Sequence, residues 1–482
     1  MINSAVVVRV VSVLVIIIGV LMWSGLPVSW LFGGQEWGAL AWSGLVCVTM
    51  GGVGFLVVRQ RKGQVRKREG YLIVALGWLF MVVFGMLPYL LSGTITSVPD
   101  ALFETISGMT TTGASVLTDI EAQPRGILYW RSLTQWIGGM GIIVLTVAIF
   151  PLLGIGGIEL FVAEAPGPTS DKIHPRIRET AKRLWLIYVG LTVFLTLLLC
   201  LEGMSFYEAI NHALTTMATG GFSTRNASMA AFSPTIQYTV ILFMFLAGTN
   251  YTILYFGLKR RWKDVWRSDE FKTYAGAVLG LTAILALGIH ATGKFVWEQS
   301  FRDALFQVVS LITTTGYVSA DYTSYTPALT LFCFILLFIG ASAGSTSGGI
   351  KIVRHLVFIK NSTLEFKRLV HPHAIVPLRL NGQVVRGRVI THVYTFLLLY
   401  LAIFVLGTIV LSVLGLDFIT AFGAMATSLG NVGPGIGEVG PVDNFAWLSS
   451  PVKLFLCFVM LLGRLELFTI LVLFSPYFWR LN

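Results

Sequence analysis

The sequence predicts an all-α polytopic membrane protein. It is built from four tandem units of helix, short re-entrant loop and helix, preceded by two extra N-terminal transmembrane helices. Three observations carry this. The 482 residues are 55% hydrophobic and only 12% charged, where a soluble protein would carry about 25% charged residues. Apolar runs of roughly 20 residues, the length that spans a bilayer, recur along the chain. One short stretch also returns through the chain. Its copies are Met109-Thr110-Thr111-Thr112-Gly113-Ala114-Ser115, Met217-Ala218-Thr219-Gly220-Gly221-Phe222-Ser223, Ile312-Thr313-Thr314-Thr315-Gly316-Tyr317-Val318 and Leu429-Gly430-Asn431-Val432-Gly433-Pro434-Gly435. In every copy the shared glycine follows an alanine (Ala101, Ala209, Ala304, Ala421) by 12 residues. The glycines lie 108, 95 and 117 residues apart. One offset held through four copies marks a single supersecondary unit repeated.

Taken in order, residues 6–23 and 38–58 read as the two N-terminal helices of a segment 1–68. Trp30 and Trp37, in the loop between them, suit a membrane interface. The basic run Arg59, Arg61, Lys62, Arg66, Lys67 and Arg68 marks the cytoplasmic side, which places the N-terminus there as well. Repeat one, 69–170, uses spans 71–91 and 127–153 around a short helix 101–110. Repeat two, 171–268, uses 184–201 and 238–258 around 209–217. Repeat three, 269–375, uses 274–291 and a long segment 328–359 around 304–312. Repeat four, 376–482, uses 390–414 and 452–474 around 421–429. The inner loops 159–183, 259–267 and 360–388 carry most of the remaining basic residues, so every basic cluster falls on one side. The count is ten spans with four loops opening outward and both termini cytoplasmic.

The net charge of +11 is therefore the positive-inside bias of a membrane protein rather than a nucleic-acid footprint. Cys47, Cys200, Cys333 and Cys457 sit far apart in apolar runs and form no disulfide or zinc pattern. His371 and His373 are a close pair without further ligands nearby. The first apolar segment is too long for a signal peptide and lacks a small-residue cleavage site. No paired acids, Ser/His set or metal ligands stand out inside the spans, and Gly154, Gly156 and Gly157 lack the strand–turn–helix context of nucleotide binding. An enzyme is not expected.

A helix of about ten residues is about 15 Å long, half a bilayer. Non-helical backbone at that depth survives only when buried in protein or lining a water-filled cavity. Four such helices can converge on one axis, so that carbonyls and threonine hydroxyls replace the water around a monovalent cation. The filter residues would be Thr111, Thr112 and Gly113; Thr219, Gly220 and Gly221; Thr314, Thr315 and Gly316; and Asn431, Val432 and Gly433. Glycine permits the backbone angles and the close approach. The carboxyl ends of the short helices favour a cation below the filter, and a ring of acids, Asp100, Glu208 and Asp303 before the repeated alanines, would gather cations at the mouth. Asp100, Glu104, Asp119 and Glu121 decorate the outer side of repeat one, with Arg125 the only cation near it. The alternative is four ordinary turns with Gly and Thr serving helix packing.

Two further features lie deeper. Gly340-Ala341-Ser342-Ala343-Gly344-Ser345-Thr346-Ser347-Gly348-Gly349, followed by Lys351, interrupts the long segment of repeat three. It reads equally as a flexible intramembrane loop or as tight helix packing through Gly344 and Gly348. Arg464 lies within the last span, where a charge is expensive and marks either function or a structural ion pair. Glu466, two residues on, points elsewhere on a helix and is a poor partner. Lys453 is expected to snorkel. No acid is expected deep in a span, which argues against a proton relay.

The pattern resembles the Trk/Ktr/HKT superfamily of potassium transporters over essentially the whole chain, including the two extra N-terminal helices. The segments 220–224 (Gly-Gly-Phe-Ser-Thr) and 430–435 (Gly-Asn-Val-Gly-Pro-Gly) are highly specific to it. The resemblance implies potassium uptake across the bacterial inner (plasma) membrane through a channel-like, partner-gated pore, with potassium symport coupled to protons or sodium as the alternative. Glycine at all four filter positions goes with potassium in this family, whereas serine in the first repeat goes with sodium in plant relatives. With one shared glycine per repeat, selectivity should be weaker than in potassium channels, and Asn431 and Val432 make repeat four the most divergent. The resemblance makes residues 340–349 an intramembrane gate loop and aims Arg464 into the pore beneath the filter. It also implies a homodimer, a cytosolic TrkA-like ring that carries the nucleotide, K+ as the transported ion and no organic cofactor in this chain.

Overall fold

The computed structural model describes residues 3–59, 67–144 and 177–480. Arg61, Lys62, Arg66, most of the loop 159–183, the end of the span 127–153 and the glycines 154–157 lie outside the described residues. Among those described, six helices are long and apolar enough to cross a membrane, and two bent pairs bring the number to eight. The six are Ser4–Leu31, Trp37–Val58, Arg68–Leu91, Lys182–Leu201, Asp269–Ala291 and Gly387–Val413. The other two expected spans are Arg125–Val144, which runs to the edge of the described residues, and an interrupted one. In the latter, helices Pro327–Leu336 and Ile352–Val370 flank a non-helical stretch. Leu242, Leu279 and Leu398 stand exposed on the outside, as hydrocarbon-facing side chains do.

Two spans that read as continuous are broken. In repeat two, Pro234–Gly248 and Tyr251–Leu258 meet at 109°. Asn250 starts the second piece as its N-cap, its Oδ1 accepting from Thr252 N at 2.8 Å. In repeat four, Ser450–Arg464 and Phe468–Phe474 meet at 115°, and Glu466 and Leu467 take positive φ at the corner. Arg464 therefore ends a helix rather than sitting midway along one.

The short helices begin earlier than their alanines suggest, as Val98–Met109, Phe206–Met217, Trp297–Ile312 and Phe418–Gly430. Local capping sets these starts. Pro99 occupies the first turn of the first, Ser205 Oγ accepts from Glu208 N at 3.3 Å, and Asp417 Oδ2 accepts from Ile419 N at 3.0 Å and Thr420 N at 3.1 Å. The alanines mark something else: Ala101, Ala209, Ala304 and Ala421 are all fully buried, where the short helices pack too closely for a larger side chain. The first short helix packs against the second helix of repeat one and the final helix of repeat four, the second against the second helix of repeat one, and the third against that of repeat two. This order closes a ring, with repeat four beside repeat one.

Ion pairs brace that ring, from fully buried to half-exposed, and they correct three expectations. Glu104 is fully buried inside the protein rather than decorating the outer side, and Arg131, inside the following helix, donates to it at 2.6 Å. Asp100 takes Lys453 Nζ at 2.6 Å, so Lys453, buried and also donating to Ala446 O at 2.7 Å, does not snorkel. Glu208 pairs with Arg225 at 2.7 Å. Asp100 and Glu208 are thus neutralised at the mouth, while Arg125, instead of serving an acid, lies 4.3 Å over the Phe32 ring.

Arg131→Met leaves the Glu104 carboxylate buried without its guanidinium, and should cost about 3–5 kcal/mol. Unfolding in detergent should show part of that loss restored in the Arg131→Met/Glu104→Gln double variant. Asp417→Ala should cost about 1 kcal/mol through the lost cap. The hydrogen bonds Thr420 donates hold the Asp417 carboxyl below its ordinary value. Its contribution is therefore present above the unfolded value of about 3.9 and lost as pH falls through the depressed folded one. The gap between wild type and Asp417→Ala should be full at neutral pH and close in strong acid.

Candidate ion pathway

Each short helix ends in the same turn. The residue two before the shared glycine takes a left-handed conformation: Thr111 at φ 55°, Thr219 at 52°, Thr314 at 55° and Asn431 at 54°. Its N–H donates to the carbonyl three residues back: Thr111 to Gly108 at 2.9 Å, Thr219 to Thr216 at 3.0 Å, Thr314 to Leu311 at 3.0 Å and Asn431 to Ser428 at 3.4 Å. The next N–H reaches five back, from Thr112 to Ser107, Gly220 to Thr215, Thr315 to Ser310 and Val432 to Thr427, at 2.8 to 3.0 Å. This is the paired 6→1 and 5→2 closure of a Schellman C-cap, with threonine or asparagine where glycine is usual. A β-branched residue at positive φ is strained, by about 1–3 kcal/mol each, and persists only where the surroundings over-determine it. Three threonines carry that strain, and the fourth position has asparagine, which tolerates the left-handed region. The same turn at four matched positions is the unit the sequence repeats.

The shared glycine follows at once, also at positive φ: 85° for Gly113, 79° for Gly221, 76° for Gly316 and 105° for Gly433. A Cβ on Gly113 would fall within 3.0 Å of Gly220 O, on Gly221 of Thr315 O, on Gly316 of Val432 O and on Gly433 of Thr112 O. Each glycine therefore abuts the carbonyl that precedes the glycine of the next repeat, and the fourth returns to the first. Four strands form one closed ring, and all twelve sequence-selected filter residues lie in it. Thr111 Oγ1 and Asn431 Oδ1 are buried in this layer without a hydrogen-bond partner.

Below the ring runs the small-residue stretch. It is not helical, so the helix-packing alternative for Gly344 and Gly348 does not apply. Gly340 N donates to Ile350 O at 2.8 Å and Ile352 N to Ala341 O at 3.0 Å, which pinches the loop closed at its base. Its tip meets the turns directly. Thr219 donates to Thr346 at 3.2 Å, Thr346 donates to Met217 O at 3.1 Å, and Gly348 N donates to Thr314 Oγ1 at 2.7 Å. A Cβ on Gly348 would lie 2.8 Å from that of Asn431, so only glycine fits there. Gly344 and Gly349 take positive φ. Ser345 Oγ turns inward to Ser342 O at 2.6 Å, and Lys351, buried, donates to Ser347 O and to Ser347 Oγ. Asn250, at the bend of repeat two, anchors Ala343 O at 2.7 Å, and Glu270 accepts from Ala343 N at 2.6 Å.

Arg464 completes this layer. Nη1 donates to Thr346 O at 2.8 Å and Nη2 to Gly138 O at 2.7 Å. One planar guanidinium thus ties the loop to the second helix of repeat one from the end of a helix in repeat four. Glu466 takes Arg354 at 2.5 Å instead, for a reason other than helix spacing: it lies beyond the helix end, at the corner, with positive φ. Arg354 follows the loop in the chain, is buried and lies 3.9 Å over the Phe396 ring.

Sequence reasoning missed Arg131, Gln135, His212 and Asn250. Arg131 carried a signal, since an arginine inside an apolar span needs a partner. The others are neutral, and their neighbours are distant in sequence.

The family model described as TrkH, cation transport protein, matches residues 39–480. The Trk system potassium uptake protein TrkH of Salmonella typhimurium is 41% identical to this chain, and that of Escherichia coli K12 40%, each over 98% of both chains. The crystal structure of the potassium transporter TrkH from Vibrio parahaemolyticus matches with a TM-score of 0.89 at 35% identity, covering 99% of this chain and 100% of that one. The chain belongs to the TrkH family of cation transport proteins.

Proposed function

We propose that this protein takes up potassium across the cell membrane through a pore whose filter is the ring of four strands. The observation that carries the reading is the closure of that ring. Carbonyls and threonine hydroxyls brought together in this way can replace the hydration shell of a monovalent cation. The relatives' printed names point to the same ion. The four matched turns support a division into four repeats beginning at 69, 171, 269 and 376. The loop 340–349 serves as the gate, because it fills the layer under the strands and is held by side chains from repeats two, three and four.

Arg464 acts there in two ways: as a fixed cation below the filter and as the tie that holds Thr346. Glu104 is committed to Arg131, Ser115 and Val116 N behind the strand, which favours passage without a proton relay. Other chains complete the system: a second copy of this one, and a TrkA-like cytosolic ring that binds the nucleotide and moves the loop. The setting is the bacterial inner membrane with both termini cytoplasmic, the orientation the basic loops support.

Potassium and sodium flux into liposomes holding purified protein tests the reading. Gly113→Ser must place a side chain against Gly220 O at positive φ, and should lose most of the potassium preference. Arg464→Ala should raise flux. Arg464→Lys separates its two roles, since it keeps the charge but not the fork: fast flux assigns the barrier to the tie, slow flux to the charge. Unchanged selectivity and rate in Gly113→Ser and Arg464→Ala would return these residues to packing.

A further inference from the structure

The four strands share one backbone but not one set of braces. In repeats one and three the residue before the glycine is a threonine. It shares a hydrogen bond with the threonine two before it, Thr110 with Thr112 and Thr313 with Thr315, both at 2.7 Å. A serine on the short helix also donates to the carbonyl after the glycine, Ser107 to Ala114 at 2.5 Å and Ser310 to Tyr317 at 2.8 Å. Repeat two has neither device. Its matching residues are Ala218 and Gly220, and Thr215 is turned to the Tyr317 hydroxyl.

Gln135, from the second helix of repeat one, stands in the gap. It is fully buried. Its Nε2 donates to Gly220 O at 2.6 Å and its Oε1 accepts from Phe222 N at 3.1 Å. One carboxamide thereby grips the carbonyl before Gly221 and the N–H after it, as a neighbouring strand would. A Cβ on Gly220 would fall within 3.0 Å of Cδ, Oε1 and Nε2 of Gln135. The second glycine of repeat two is therefore the space this amide occupies. Gly220 O is also the carbonyl that Gly113 abuts, so the grip fixes the seam between strands one and two. In repeat four the amide belongs to the turn itself and reaches outward: Asn431 Nδ2 donates to Thr112 Oγ1 of repeat one at 3.0 Å and to Met460 O at 2.9 Å.

We propose that Gln135 is a selectivity-positioning residue, its carboxamide holding the Gly220 carbonyl in the ring in place of the hydroxyl brace of repeats one and three. This rests on the reading of the ring as a potassium filter. Discrimination depends on where the carbonyls are held and how freely they relax.

The test is potassium and sodium flux in liposomes for wild type, Gln135→Leu and Gln135→Ala/Ala218→Thr/Gly220→Thr, with monodispersity in detergent as the control for folding. Gln135→Leu should lower the potassium preference by about tenfold, the worth of roughly one hydrogen bond, while potassium still passes. The triple variant, which returns both threonines of the hydroxyl brace, should regain much of it. A folded Gln135→Leu with wild-type preference overturns the proposal. If Gln135→Leu does not fold, a folded triple variant decides: preference near wild type supports the exchange of one brace for the other, and its absence overturns it. Failure of both to fold overturns it too, since the amide would then be a structural prop. Wild-type vesicles without potassium-selective flux would instead overturn the functional reading itself.

Discussion

Backbone that leaves a helix inside a membrane has no water to satisfy it, and that constraint shapes the whole centre of this protein. The Schellman closure satisfies the first two N–H groups beyond each short helix from the helix's own carbonyls. Beyond the glycine, part of each strand is served within its own repeat, as Ala114 O by Ser107 and Tyr317 O by Ser310, and part only by another. Ser115 O accepts from Phe445 N at 2.8 Å, in the outer loop of repeat four, and Val318 O from Met229 N at 3.0 Å, in that of repeat two. Those partners exist only if all four repeats are assembled around one axis. The strands thus depend on the ring for their hydrogen bonds, and the ring on the strands for its shape.

Within that frame, one position shows how each repeat solves the same problem with different chemistry. Nine residues before the shared glycine stand Glu104, His212, Gln307 and Ala424. Glu104 holds Ser115 and Val116 N, with Arg131 as its counter-charge. His212 hydrogen-bonds with Ser223 Oγ at 2.9 Å, and Gln307 donates to Ala320 O at 2.8 Å. In repeat four the chain after the filter folds back on its own short helix. Gly435 N donates to Val439 O at 2.7 Å, and a Cβ on Gly423 would collide with Ile436. Ala424 is fully buried there, and Tyr322, from repeat three, supports Gly435 O instead at 2.7 Å. The counter-charge of Glu104 also couples the first two repeats. Arg131 also donates to Ser223 O at 3.1 Å and lies 3.5 Å over the Phe222 ring.

The sequence made the repeats legible because the turn is local. The alanine is small for packing and the glycine is needed at positive φ, so both recur at a fixed spacing. The small-residue stretch was legible only in part: its composition left a loop and tight helix packing equally open, and only the resemblance favoured the loop. The breaks after Gly248 and Arg464 were not legible. Hydropathy reports whether a segment is apolar, and both pieces of each span are. The Lys453–Asp100 and Arg131–Glu104 pairs were hidden for another reason. Their members are 353 and 27 residues apart, and only the closure of repeat four onto repeat one brings the first together. Gln135 left no trace in its own segment, although the Gly-Gly of repeat two was its shadow.

The two bends fix where the loop can sit. Asn250 begins a helix at the first bend and also holds Ala343 O, so the break that ends one piece of repeat two positions one end of the loop. At the second bend, Arg464 and Glu466 diverge to Thr346 O and Arg354, which bracket the other end. The loop is therefore suspended between two broken helices, and its own interior bonds are few and local. A change of angle at either break would move one anchor against the other. Gly344 and Gly349 supply the positive φ that the loop needs between these anchors, and a Cβ on Gly344 would lie 3.1 Å from the Asn250 amide.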